Sequence, residues 1–150
     1  MSDPGSRPIV AFDGTESVTG RAMLTVSALH RCTDWLPLVR PRFIDVTDEN
    51  VVLACQALRW ELGVEIEVLP PSGMRAHPPL RGAHLYAGIA FRSAGHMRLV
   101  EAAALSVPVI LAIQFPEEAW CSRSVILHED AAFDPGIFAT HLHDALRQWL

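Results

Sequence analysis

The sequence predicts an α/β protein with a doubly wound parallel sheet of the Rossmann-like kind, arranged as a single three-layer domain. Short apolar segments alternate with longer segments of helical periodicity about five times along the chain. Half of the 150 residues are apolar and 19% are charged, so the chain can form a buried core. This length favours one domain over two. We expect residues 1–7 to be a flexible N-terminus and residues 8–150 to form the domain.

The strands are predicted from short apolar or β-branched runs that are bounded by turn signals. Segment 85–91 carries no charge, which is typical of a strand that is covered on both faces. The predicted strands are 8–12, 38–46, 64–69, 85–91 and 107–113, with a short outer strand at 125–128.

The helices are predicted from apolar residues that recur at spacings of three and four. The clearest begins after Thr47-Asp48, an N-cap signal, and runs through Leu62 to a terminating Gly63. Asp134 is the predicted N-cap of the last helix, with Pro135 in its first turn. The other predicted helical segments are 20–37, 95–105 and a short turn at 80–84, and the last helix is predicted over 135–150.

Charge and cysteine content exclude several classes of protein. The formal net charge is −5, so we expect neither a nucleic-acid partner nor a basic membrane-binding surface. All twelve basic residues are arginine, which excludes Walker-type phosphate loops and Schiff-base chemistry. Cys32, Cys55 and Cys121 form no CxxC pair, and no signal peptide or membrane span is predicted. We therefore expect a cytoplasmic protein.

In an open parallel sheet, ligands bind beyond the carboxyl ends of the strands. The most informative loop there precedes the helix predicted at 95–105, and it contains Arg92, Ser93, Gly95 and His96. The free N–H groups of a helix start attract a phosphate, Gly95 allows close approach to the backbone, and Arg92 adds charge. The alternative is that Ser93 serves only as an N-cap.

The sequence over residues 80–116 resembles the donor-binding core of the C-terminal lobe of family 4 (group 1) glycosyltransferases, which have the GT-B fold. Residues 101–110, EAAALSVPVI, match that family's Glu-Ala-x-Ala-x-Gly-x-Pro-Val-Ile segment, with Ser106 in place of the glycine. Two features depart from the family pattern. Ser93 stands eight positions before Glu101, where the family has its first glutamate, and the loop over residues 14–20 contains no basic residue. Arg21 is the nearest substitute.

The resemblance implies a site that binds the donor, a nucleotide-diphosphate sugar, with Glu101 on the ribose. It implies no further cofactor and no metal. The predicted donor-binding residues are Arg92, Ser93, Gly95, His96, Met97, Glu101, Gly14 and Thr15.

A GT-B enzyme closes two lobes on its substrates, and this chain has the length of one. The resemblance therefore implies a lobe of a glycosyltransferase that acts with a separate N-terminal lobe as its partner. The alternative function is a non-catalytic interaction or oligomerisation module that retains the fold. Phe115, Trp120 and Trp149 are the apolar residues that we expect at a contact with a second copy or another partner.

Two other sites are considered from the residues alone. Asp13 and Asp45 are predicted at the ends of adjacent strands, and paired carboxylates there would suit magnesium. His77 and His84 flank the proline-rich loop at 70–79, near Arg75 and Arg81. The composition of this group favours a solvated surface over a site for an anion or a base. The Gly-x-Ser-x-Gly signature of a hydrolase is missing.

Overall fold

The structure is a computed structural model that describes residues 7–16, 21–71, 78–90, 96–113, 124–127 and 134–147. Within these residues the strands are β1 (Ile9–Asp13), β2 (Arg40–Ile44), β3 (Glu67–Val68), β4 (Ala83–Ala90), β5 (Val109–Ile113) and β6 (Ser124–Leu127). The helices are α1 (Ala22–Leu29), α2 (Glu49–Leu62), α3 (His96–Ala104) and α4 (Pro135–Leu146), with one 3-10 turn at Leu36–Leu38.

The described strands form one parallel sheet in the order β3-β2-β1-β4-β5-β6. Strand order therefore reverses direction between β1 and β4, as in a doubly wound fold. The predicted fold class is confirmed.

Helices cover both faces of the sheet. On one face, side chains of α1, α2 and α4 join the larger apolar core together with alternate residues of β1, β2 and β4. The opposite face carries a smaller core, in which Ala102 of α3 packs with Ala11, Ile44, Tyr86 and Leu80. In the described residues, no helix has the length and apolar character needed to cross a membrane.

Local signals set the limits of α2 and α4. The Asp48 carboxylate accepts a hydrogen bond from the Asn50 N–H, and Gly63 ends α2 in a left-handed conformation with φ 64°. Asp134 accepts from the N–H groups of Gly136 and Ile137 at the start of α4. Both predicted N-caps are confirmed.

Several element boundaries differ from the prediction. The helix predicted at 20–37 ends at Leu29, and a turn then leads to the 3-10 segment, where Trp35 and Leu36 pack into the core. The strand predicted at 64–69 pairs only over Glu67–Val68. The predicted turn at 80–84 gives way to strand at Ala83, because β1 pairs with β4 from that residue onward. For β3 and β4, pairing with the neighbouring strand sets the boundary.

Candidate functional site

The candidate site lies at the carboxyl edge of the sheet, where β1 and β4 are neighbours. The helix that follows β1 packs on one face of the sheet, and the helix that follows β4 packs on the other. Connections that leave neighbouring strands toward opposite faces open a crevice, and ligands of doubly wound folds bind there. Among the sequence-predicted residues, Gly14 and Thr15 directly follow β1, and His96 and Met97 begin the helix that follows β4.

The backbone of Gly14 and Thr15 is tied into the protein. The Gly14 N–H donates to the Ile44 carbonyl at 2.7 Å, and the Thr15 N–H donates to Asp13 Oδ1 at 3.0 Å. A Cβ atom at Gly14 would come within 2.5 Å of the Ile44 carbonyl oxygen, so only glycine fits between the two strand ends. Both residues lie at the predicted edge. Their contact with a donor stays a prediction, and these two amides are already used within the chain.

The first turn of α1 binds the carboxylate of Glu16, a residue that precedes this helix in the chain. Glu16 Oε2 accepts a hydrogen bond of 2.7 Å from the Met23 N–H in the first turn of α1. The Arg21 N–H donates to the Ile89 carbonyl, which fastens the end of the loop to β4. The positive end of this helix dipole is therefore partly neutralised by Glu16. Of the two helices that flank the crevice, α1 is therefore the less favourable place for an external anion.

The loop between β4 and α3 was the centre of the sequence prediction. Arg92, Ser93 and Gly95 lie outside the described residues. His96 and Met97 form the beginning of α3, so this helix starts at the carboxyl edge, as predicted. The phosphate contacts assigned to this loop stay predictions.

Glu101 lies in the middle of α3 on the side that faces the sheet, and its side chain is 14% exposed. Glu101 Oε2 accepts from the Leu80 N–H at 2.8 Å, and Oε1 accepts from Arg98 Nη1 at 2.8 Å. A carboxylate has about four lone-pair sites, so each oxygen can accept one further hydrogen bond. A ribose hydroxyl at Glu101 would share the carboxylate with these two partners, and that contact stays a prediction.

Arg98 connects Glu101 to the end of β2. Its Nε and Nη2 donate to the two carboxylate oxygens of Asp45 at 2.7 and 2.9 Å, while Nη1 reaches Glu101. The Arg98 side chain is only 9% exposed. Asp45 has a left-handed backbone with φ 58°, a conformation that Asp tolerates better than most residues.

Burial and charge shift several pKa values in this group. Burial raises the pKa of Asp13 to about 6, and the Thr15 hydrogen bonds oppose this shift. Burial also raises the pKa of Tyr86, and nearby Asp13 and Asp45 add to that effect. The hydrogen bond to Asp45 raises the pKa of the Arg98 guanidinium. The second face of the sheet thus carries a compact charged group close to the carboxyl edge.

The magnesium alternative does not fit the structure. Both oxygens of Asp45 are bound by Arg98, so the guanidinium takes the position beside Asp45 where a cation would sit. Among the residues that the structure describes, no group of three or more His, Cys, Asp or Glu side chains is placed to hold a metal ion.

The structure gives the His84 side chain a hydrogen-bond partner within the sheet. His84 Nδ1 accepts a hydrogen bond of 3.2 Å from the Ile9 N–H, at the register shift between β1 and β4. His84 therefore has a role in strand pairing. His77 and Arg75 lie outside the described residues, as do Phe115, Trp120 and Trp149.

Sequence reasoning missed Arg98 as a member of the site. The available signal was a lone arginine three positions before Glu101, on a helix whose neighbouring positions are mostly apolar. Such an arginine requires a partner if its face is buried. The identity of that partner depends on strand order, which one sequence does not specify.

These features define the chain as a doubly wound Rossmann-like α/β protein. Its sequence matches no described protein family, and it matches no curated protein. Its fold is similar to that of accessory secretory protein 1, 2 and 3 of Streptococcus pneumoniae, with a TM-score of 0.64 and 11% identity. It is also similar to an α,α-trehalose-phosphate synthase (UDP-forming) of Burkholderia vietnamiensis, with a TM-score of 0.58 and 16% identity.

Each similarity covers 95% of this chain, so it includes nearly the whole sheet and its helices. The chain spans only 28% and 38% of the lengths of those two structures. At these identities the similarity is one of fold.

Proposed function

We propose that this protein is a glycosyltransferase-like domain that binds a nucleotide-diphosphate sugar and acts as one lobe of a two-lobe enzyme. The observation that carries the proposal is the crevice between β1 and β4, where α3 begins at the carboxyl edge and Glu101 follows in the middle of the same helix. The start of α3 would bind the diphosphate through backbone N–H groups, and Glu101 would bind the ribose.

Two further observations support this assignment. One protein with a similar fold is a UDP-forming synthase, and the similarity extends over 95% of this chain. Glu16 caps α1 from within, which favours α3 as the helix start that binds an external phosphate. The anionic ligand is therefore assigned to the β4–α3 side of the crevice, with Arg92 and Ser93 among the residues that contact it.

The reaction itself is assigned to the assembled enzyme. This chain corresponds to 28–38% of the two similar structures, and the acceptor site is proposed to lie on a separate N-terminal lobe. In the assembled enzyme, hydrogen bonds from the α3 start would stabilise the departing nucleoside diphosphate as its charge develops. We propose no cofactor and no metal in that step.

Calorimetric titration with UDP, GDP and ADP, together with thermal unfolding at saturation, tests the binding function. Saturation at 100 times the dissociation constant should raise the free energy of unfolding by about 2.7 kcal/mol. Arg92→Gln should weaken binding about tenfold or more, because a charge-assisted hydrogen bond contributes about 1.5–3 kcal/mol. Arg59→Gln is the matched control, since Arg59 is an exposed arginine near the end of α2. Failure of all three nucleotides to bind would refute the proposed function.

A second candidate function, self-association, is favoured by one surface. Trp60 is 89% exposed and Leu53 is 54% exposed. The two residues are seven positions apart on α2 and therefore lie on one helical face. An exposed apolar face of this kind marks a contact surface. Sedimentation of the parent chain and of Trp60→Gln distinguishes the candidates: association that Trp60→Gln abolishes, without nucleotide binding, favours the interaction module.

A further inference from the structure

Arg98 joins two carboxylates that belong to different elements of the fold. Its Nε and Nη2 bind Asp45 at the end of β2, and its Nη1 binds Glu101 one turn further along α3. Only the planar guanidinium fork places three donors so that two carboxylates are bound at once. This arrangement ties the middle of α3 to the carboxyl edge of the sheet.

Glu101 is consequently held from two sides. Leu80, just before β4, donates its N–H to Oε2, and Arg98 donates to Oε1. With both oxygens engaged, the carboxylate cannot rotate without breaking a hydrogen bond. Any further hydroxyl must approach the lone pairs that remain, and it must do so in a direction set by Leu80 and Arg98.

We propose that Arg98 is a positioning residue for nucleotide recognition: it fixes the orientation in which Glu101 accepts hydrogen bonds from the ribose, and so sets the preference for ribonucleotides over 2′-deoxyribonucleotides. This inference rests on the proposed function and adds the group that discriminates between ligands. Discrimination of this kind requires a rigid acceptor, because a carboxylate that can turn finds other donors, including water, when a hydroxyl is missing.

The chain offers a matched control for a purely structural role. Arg42 also holds the segment before β4: Nη1 donates to the carbonyls of Pro79 and Arg81 at 3.1 and 3.2 Å, and Nε donates to Glu67. Among the described residues, no hydrogen bond or ion pair links Arg42 to Glu101 directly, and Arg42 reaches this carboxylate only through the backbone on either side of Leu80. If Arg98 only stabilised the fold, substitutions at Arg98 and at Arg42 would have the same kind of effect.

The experiment is a calorimetric titration of the full chain with UDP and with 2′-deoxy-UDP. The variants are Arg98→Lys and Arg42→Lys, which keep the charge but replace the rigid planar fork by an ammonium group whose three donors have no fixed bidentate geometry. The parent chain should bind UDP about tenfold more tightly than 2′-deoxy-UDP, the expected effect of one hydrogen bond to a charged acceptor. Arg98→Lys should reduce this ratio to about twofold or less, and Arg42→Lys, which acts on Glu101 only through the backbone beside Leu80, should retain most of it.

A second variant keeps the test valid if Arg98→Lys does not fold. Asp45→Asn leaves Arg98 and Glu101 in place, keeps one acceptor for Arg98, and suits the left-handed backbone at this position. We expect it to lower the ribose preference by a smaller factor than Arg98→Lys.

The outcomes separate this inference from the proposed function. If UDP binds but the parent shows no ribose preference, or if Arg98→Lys and Asp45→Asn retain the preference of the parent, the inference is overturned and the proposed function stands. If none of UDP, GDP and ADP binds the parent chain, the proposed function is overturned and the inference with it. If only GDP or ADP binds, the same comparison is made between that nucleotide and its 2′-deoxy form. A preference that falls further with Arg98→Lys than with Arg42→Lys supports both, and equal falls for the two variants would overturn the inference.

Discussion

Gly88 on β4 lies directly against the side chain of Asp13 on β1, and a Cβ atom at Gly88 would stand 2.9 Å from the Cβ of Asp13. Because Gly88 has no side chain, the side chain of Asp13 fits beside it, at the point in the sheet where strand order reverses. Two neighbouring strands thus accommodate an acidic residue in a place where most sheets have apolar contacts.

The first prediction concerns this close approach. Gly88→Ala should lower the free energy of unfolding by about 1–3 kcal/mol, because the added methyl group forces the strand ends apart. Gly88→Leu should lower it further. Gly63 is the control: its φ of 64° is strained for other residues, but no atom lies within 4 Å of a Cβ there. Gly63→Ala and Gly63→Leu should therefore lower the free energy of unfolding by similar amounts, about 1 kcal/mol each. Urea unfolding measures both series, and a Gly88→Ala variant as stable as the parent would contradict the packing described.

The second prediction concerns pH. Burial raises the pKa of Asp13 from 3.8 to about 6 in the folded protein, so between these values the folded state binds more protons than the unfolded state. The contribution of Asp13 to stability is therefore present at pH 4 and is lost as the pH rises through 6. Asp13→Asn removes this effect and should gain stability relative to the parent between pH 4 and pH 7, by up to about 3 kcal/mol.

Asn at position 13 can still accept the Thr15 N–H, which makes it the appropriate replacement. Thermal and urea unfolding of both proteins at several pH values provide the measurement. A stability difference that does not change between pH 4 and pH 7 would show that Asp13 titrates normally.

The third prediction concerns the Arg98 ion pairs. Arg98→Met leaves Asp45 and Glu101 without their cation in a region that is largely closed to water, and should lower the free energy of unfolding by about 3–5 kcal/mol. The comparison is Glu61→Gln, which breaks the exposed contact between Glu61 and His30 and should cost less than about 1 kcal/mol. Equal losses for the two variants would mean that Arg98 is solvated in solution.

The fourth prediction concerns the start of α4. Asp134→Ala removes the acceptor of the Gly136 and Ile137 N–H groups and should lower the free energy of unfolding by about 1 kcal/mol. Asp144→Ala, at an exposed position of the same helix, should change it by less than about 0.5 kcal/mol. Stability measurements that fail to distinguish these two aspartates would rule out the capping role.

Much of the fold could be predicted because the residues that begin and end its helices and strands lie within a few positions of those boundaries. The limits of α2 depend on Asp48 and Gly63, which act on the turns next to them. The uncharged β4 segment and the alternation of strands and helices specify a parallel sheet covered on both faces. The loop at the start of α3 and Glu101 were singled out from the sequence, and α3 does begin at the predicted edge.

The tertiary structure alone decided which charged groups meet. Arg98 and Asp45 are 53 positions apart, Glu101 and Leu80 are 21 apart, and each pair is brought together by the order of the strands. The sequence favours a solvated position for His84, and the structure shows that its Nδ1 accepts a hydrogen bond from Ile9 of β1, 75 positions away. Caps and periodicity are local and can be read from one segment at a time. Partners across a sheet depend on strand order and register, which arise from packing the whole chain.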